Sequence, residues 1–228
     1  MTQTTALADP ASSAPPLAKP LLRGWSHVIS FGVVAALATV MVAVADAPVA
    51  ERLTLVLYEF GTLSMFGVSA MYHRGRWSTH ALAVWRRMDH STIFLAIAGA
   101  YTPVAVGCLE GWHRVAVLAI AWTGALVGIS LQWLPVHVPR AAFTAVYVIV
   151  GWSSLIAFPQ LYHGMGPRGF ALLLGGGVAY TLGAVVYAVK WPDPWPRVFG
   201  YHEVFHVLTV IGAALHLATI AFVVVPKF

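Results

Sequence analysis

From His27 to Ala45 the chain runs for 19 residues without a charged side chain, and comparable apolar stretches recur to its end. A helix needs about 20 apolar residues to cross a bilayer, because its backbone polar groups must bond within the segment where water is absent. Recurrence of such stretches restricts the chain to a polytopic helical architecture. Only 9% of its 228 residues are charged, against roughly 25% in soluble domains. A soluble globule of this size could not be covered.

Seven spans are expected, at about His27–Ala45, Leu53–His73, Met88–Cys108, Trp112–Leu134, Ala141–Tyr162, Phe170–Lys190 and Tyr201–Val225. Pro135 and Pro139 close the fourth, and Pro192, Pro194 and Pro196 separate the last two, since proline lacks an amide donor and restricts its predecessor. The fold class is therefore an all-α membrane protein of seven transmembrane helices. Residues 23–228 form that single domain. Residues 1–22, rich in Ala, Ser, Thr and Pro, read as a disordered cytoplasmic tail.

Lys and Arg alternate in abundance between successive loops. Lys19, Arg23, Arg74, Arg76, Arg86, Arg87, Arg140, Lys190 and Arg197 fall on one side, and Arg52, Arg114, Arg168 and Lys227 on the other, nine against four. Cationic loops stay in the cytoplasm, so the N-terminus is expected inside and the C-terminus outside. The setting is the cell (plasma) membrane. The formal charge of +5 is scattered between apolar runs, which argues against nucleic acid as a partner. Cys108 is the lone cysteine and rules out an internal disulfide.

Small residues recur at packing intervals, with Gly61 and Gly67 in the second span, Ala96 and Gly99 in the third and Gly175–Gly177 in the sixth. Small side chains let helices approach closely in lipid.

The chemistry concentrates at one predicted membrane face. His202 and His206 are four residues apart, hence on one side of a helix. His73 ends the second span and Asp89 opens the third, both on the cytoplasmic side with the histidine pair. Ionisable groups at a membrane boundary need partners. A His-x-x-x-His pair also arises by structural coincidence, but a third histidine and an aspartate on the same face favour a metal site. Three imidazoles and a water form a known catalytic zinc set, with a carboxylate left to hold or deprotonate the water. Imidazole also suits other divalent transition metals. Ser69 lies one helical turn before His73, where its hydroxyl can orient a ligand or bond substrate.

The segments Ser69-Ala-Met-Tyr-His73, Arg86-Arg87-Met88-Asp89-His90-Ser91, Ala98-Gly99-Ala100-Tyr101-Thr102-Pro103 and Phe199-Gly200-Tyr201-His202-Glu203-Val204-Phe205-His206, taken in order, resemble the bacterial hemolysin III proteins. These belong with the progestin and adipoQ receptor (PAQR) family and, more distantly, with alkaline ceramidases. The resemblance covers about Trp25 to Val225. It implies seven helices with an internal N-terminus and a zinc held near the cytoplasmic face by His73, His202 and His206. It also implies that Asp89 holds the zinc-bound water beside Ser69, and that the activity is hydrolysis of membrane-lipid amides or esters, with ceramide-like lipids as the type substrate.

Other polar residues rank below these. His90 adjoins Asp89 but points elsewhere on the helix, as a supporting residue or an interhelical hydrogen bonder. Glu59 lies about 21 Å from His73 by helix rise, and either bonds a neighbouring helix or belongs to a proton or ion path. His216 is expected to bond between helices, and His80, His113, His137 and His163 to be solvated. Pro103 is expected to kink the third span. Two further functional classes remain at this stage. One is a membrane-state sensor or regulator with structural zinc, and the other is a channel or pore-forming, hemolytic protein.

Overall fold

The computed structural model describes residues 19–135 and 139–228, so most of the expected tail, and His137, lie outside the described residues. Seven α-helices follow in order: α1 Trp25–Val44, α2 Val49–Arg74, α3 Thr79–Cys108, α4 Gly111–Trp133, α5 Arg140–Trp152, α6 Phe158–Val189 and α7 Tyr201–Thr219. A 3-10 segment, Ser153–Ala157, joins α5 to α6, and a π-helical turn, Ile220–Val224, extends α7. The protein is an all-α multi-pass membrane protein. Among the described residues six helical stretches are long and apolar enough to span a bilayer, because Ala142–Val189 is nearly continuous.

The fifth and sixth expected spans thus meet without a loop, and the break inside that stretch is local. Gly166 has φ 69° and ψ 169°, outside the helical region, and Pro167 follows it. A positive φ is easily accommodated by glycine, and proline removes the next amide donor. The apolar side chains on both sides of this joint hid it from a hydropathy reading.

The third helix departs furthest from expectation. It starts at Thr79, where the Ser78 hydroxyl accepts a hydrogen bond from the Ala81 amide at 3.3 Å. Asp89 is consequently not at a helix N-terminus but about 15 Å along α3 by helix rise. His80, Arg86 and Arg87 suggested a loop, yet they decorate the helix's first turns. α3 also stays helical through Pro103, with no non-helical residue there. The Thr102 hydroxyl bonds the Ala98 carbonyl at 2.8 Å and receives the Trp122 indole N–H at 3.1 Å, stitching α3 to α4.

The small residues pack as their spacing indicates. An added Cβ at Gly61 would stand 2.8 Å from the Leu95 carbonyl, and one at Gly99 2.8 Å from the Leu57 carbonyl. α2 and α3 therefore lie backbone to backbone, the approach that small residues permit in lipid. Leu55, Tyr58, Phe94, Leu161 and Ile220 are almost fully buried in the main core. Val33, Leu37 and Val40 on α1 turn outward, as lipid-facing positions require.

Candidate metal centre

The first turn of α7 is fixed before any function is considered. The Glu203 carboxylate accepts the Gly200 amide at 2.8 Å, and Asp193 accepts the Tyr201 amide at 2.8 Å. Two otherwise orphaned helix donors are satisfied by carboxylates at the positive end of the helix dipole. Glu203 is only 2% exposed, and its second oxygen is paired with the Arg23 guanidinium.

Arg23 belongs to the turn before α1, and that turn is tied down as well. Leu21 and Leu22 donate backbone hydrogen bonds to the Arg197 and Val198 carbonyls at 3.1 and 3.0 Å. Gly24 then turns the chain into α1 with φ 81°, and an added Cβ would meet His73 Cβ at 2.8 Å. Only glycine meets both demands without strain. Arg74 at the end of α2 lays its guanidinium over Trp25 at 4.5 Å. The starts of α1 and α7 and the end of α2 are therefore held together.

His202, His206 and His73 converge there. Their ligand nitrogens all lie within 4.8 Å of one another, and His73 Nε2 is 3.2 Å from His202 Nε2. Zinc–nitrogen bonds of 2.0–2.1 Å place tetrahedral ligands about 3.3 Å apart, so this separation fits a shared ion. His206 Nδ1 is buried with no hydrogen-bond partner. Glu203 is committed to Arg23 and Gly200 and is not a ligand. An all-imidazole set with an unsatisfied buried nitrogen fits a borderline-soft divalent cation. The donor set fits zinc.

A fourth imidazole completes the cluster. His27 on α1, 3% exposed, stacks on His206 with ring centroids 3.8 Å apart and planes 11° from parallel. Phe66 meets its face edge-on at 5.0 Å. Neither His27 nitrogen has a hydrogen-bond partner. Sequence reasoning passed over this residue, which stands alone near the start of the first span. The Trp25-Ser-His27 entry into that span offered no spacing signal.

Asp89 stands outside the three-histidine group. It hydrogen-bonds the Ser69 hydroxyl, which is 3% exposed, and it lines the same cavity as His73 and His202. That cavity is large, about 820 Å³. Its wall follows α7 from His202 to Ile220, a rise of about 27 Å. Away from the three histidines Ile97, Val104, Leu161, Phe170 and Leu173 line it, together with a few polar side chains such as Ser154 and His216. His90 also faces this cavity, and its backbone carbonyl accepts the Tyr147 hydroxyl at 3.1 Å.

The remaining candidates are structural. The Thr39 hydroxyl donates to Glu59 at 2.6 Å, so this carboxylate bonds α1 to α2. His216 Nε2 donates to the Leu173 carbonyl at 3.2 Å and sits in a notch left by Gly176. Both are interhelical bonds.

Fold and site define a class: multi-pass helical membrane proteins that gather imidazoles from separate helices at one wall of an intramembrane cavity. The chain belongs to the haemolysin-III related family, whose sequence pattern matches residues 16–217. It is similar to hemolysin-3 of Bacillus cereus, 35% identical over 139 residues, which is 61% of each chain. It is similar also to the hemolysin-3 homolog of Bacillus subtilis (strain 168), 35% identical over 56% of this chain and 57% of that one. These alignments thus span about three-fifths of the relatives' length. A more distant similarity, 28% identity over 70% of this chain and 77% of the other, links it to the heptahelical transmembrane protein ADIPOR2 of Oryza sativa subsp. japonica. The PAQR resemblance is thereby supported at a distance.

Proposed function

We propose that this protein is a zinc-dependent hydrolase of lipid amides or esters, ceramide-like in its substrate, embedded in the plasma membrane. In this reading the chain crosses seven times, with Gly166 separating the fifth and sixth crossings, the N-terminus in the cytoplasm and the C-terminus outside. One observation carries it: three imidazole donors, one from α2 and two from α7, meet beside a cavity that His73 and His202 line together with a serine-bonded carboxylate.

His73, His202 and His206 would hold the ion. Zinc there supplies a Lewis acid and a water of lowered pKa. Asp89 takes the proton from the attacking water and passes it to the leaving group. The Ser69 hydroxyl fixes the orientation of the Asp89 carboxylate by hydrogen bonding to it. The apolar length of the cavity receives the acyl chain, and burial beside the helices keeps bulk water from the reacting carbonyl.

Elemental analysis of the purified protein is expected to give about one zinc per chain, the number that three imidazoles and one open position hold. The His202→Ala, His206→Ala double variant is expected to lose it, and unchanged metal content would remove the site assignment. Ceramide turnover in nanodiscs is expected to disappear in Asp89→Asn, and persistence would take Asp89 out of the reaction.

A second reading has its own observation. Arg23–Glu203, the Leu21 and Leu22 backbone bonds and Arg74 over Trp25 already fasten the α1, α2 and α7 ends, so an ion there could serve as a structural clamp in a sensor of membrane state. Chelation that abolishes thermal stability, in a protein that hydrolyses no lipid, would favour it. Structural zinc is usually closed by four protein ligands, whereas three converge here. The pore reading loses its carboxylate, because Glu59 is engaged by Thr39.

A further inference from the structure

The positive charges of this protein are not spread evenly over the face on which they were counted. Of the nine cations on that side, six line cavities at the histidine end: Lys19, Arg23, Arg86 and Arg87 the large one, Arg74 and Arg76 an adjoining one. The adjoining hollow, about 330 Å³, is also lined by Lys19, Arg23 and His73, so the two share a wall beside the candidate metal centre. Lys19 and Arg23 are within Coulombic reach of His73. Topology needs cations in cytoplasmic loops but does not need them on a cavity wall.

Acidic groups do not balance them. Asp89 is the sole described carboxylate lining the large cavity, and none lines the smaller one. Among the described residues Arg23–Glu203 is the one ion pair, so Lys19, Arg86 and Arg87 have no described carboxylate within pairing distance. A cavity with long apolar stretches in its lining and cations at its histidine end is complementary to one kind of molecule. That molecule has a hydrocarbon tail and an anionic head.

Resting on the lipid-hydrolase reading for the site but not on its turnover, we propose that Lys19, Arg86 and Arg87 form a head-group subsite for an anionic amphiphile. The ligand carries a phosphate or carboxylate next to the bond presented at the histidines. Arg and Lys recognise such groups through charge-assisted hydrogen bonds, which are stronger than neutral ones. Neutral ceramide would fill the tail portion and leave these cations unused.

The test measures binding without chemistry. Full-length protein in neutral phosphatidylcholine nanodiscs is loaded with radiolabelled dodecyl phosphate and competed with unlabelled dodecyl phosphate, dodecanol or inorganic phosphate. Dodecyl phosphate is expected to compete about tenfold better than dodecanol, and inorganic phosphate not at all in the same range. The Lys19→Gln, Arg86→Gln, Arg87→Gln triple variant is expected to lose that preference while keeping its metal content and unfolding midpoint. Equal competition by dodecanol overturns the proposal, as does a preference that survives the triple substitution. Competition by inorganic phosphate at equal concentration overturns the amphiphile and indicates a soluble anion. If the triple variant misfolds, single Arg86→Gln and Lys19→Gln variants, each expected to lose part of the preference, decide in its place. Hydrolysis of neutral amides without anionic preference would sink this subsite and leave the hydrolase reading intact. Anionic binding in Asp89→Asn protein with no turnover in the native chain would do the reverse.

Discussion

The two ends of α7 carry histidines in opposite circumstances. His216 is satisfied: its ring donates to the Leu173 carbonyl and fills the notch at Gly176. His206, about 15 Å away by helix rise, keeps a buried nitrogen without a partner and lies against three other imidazoles. A buried polar atom left unsatisfied costs on the order of 1–3 kcal/mol. One end of the helix avoids that cost with a backbone acceptor, and the other accumulates it on two rings, His206 and His27. Packing accounts for His216. It leaves the cluster around His206 unexplained, and that cluster has the geometry to hold a metal ion.

That contrast can be broken or sharpened by substitution. The largest effect is expected from Asp89→Asn, with hydrolysis reduced by about 10²–10⁴-fold, the usual contribution of a positioned proton acceptor; lipid turnover assays check it. Next comes Arg23→Gln, which leaves Glu203 buried and unpaired and is expected to destabilise the fold by about 3 kcal/mol, read from the unfolding midpoint in detergent. His27→Ala is expected to weaken metal affinity by about 10–100-fold, as loss of a supporting neighbour typically does. His27→Phe, which preserves a stacked ring, should recover most of that affinity in a chelator competition. At the other end, His216→Leu should cost only about 1 kcal/mol and leave the metal content untouched. Smallest of all, Thr39→Val should lower stability by about 0.6 kcal/mol, the average for interhelical bonds in lipid. A His216 variant that loses metal would erase the distinction between the two ends.

The spans and the three histidines were legible because both are periodic features. Apolar length reads directly as bilayer crossing, and His202 with His206 declares its shared helix face by spacing alone. His73 was legible as the end of an apolar run, whereas Asp89 was expected at a helix start and lies about 15 Å along α3 instead. The start of α3 was not legible, since His80, Arg86 and Arg87 look like loop chemistry until Ser78 is seen capping a helix there. The separation of α5 from α6 was blurred because one glycine, Gly166, makes the break amid apolar neighbours. His27 was invisible for a deeper reason. Its part depends on a stacking partner 179 positions away in the chain, and no local pattern encodes such a contact.

Glu203 caps the start of α7 and also grips Arg23 ahead of α1. The turn ahead of α1 thereby becomes a seat for the start of α7. A nascent chain halted between residues 73 and 200 would carry one of the three converging imidazoles, His73, and neither of the others. The three-imidazole group can therefore form only once α7 has been made, and a product cut short before that helix lacks the candidate site.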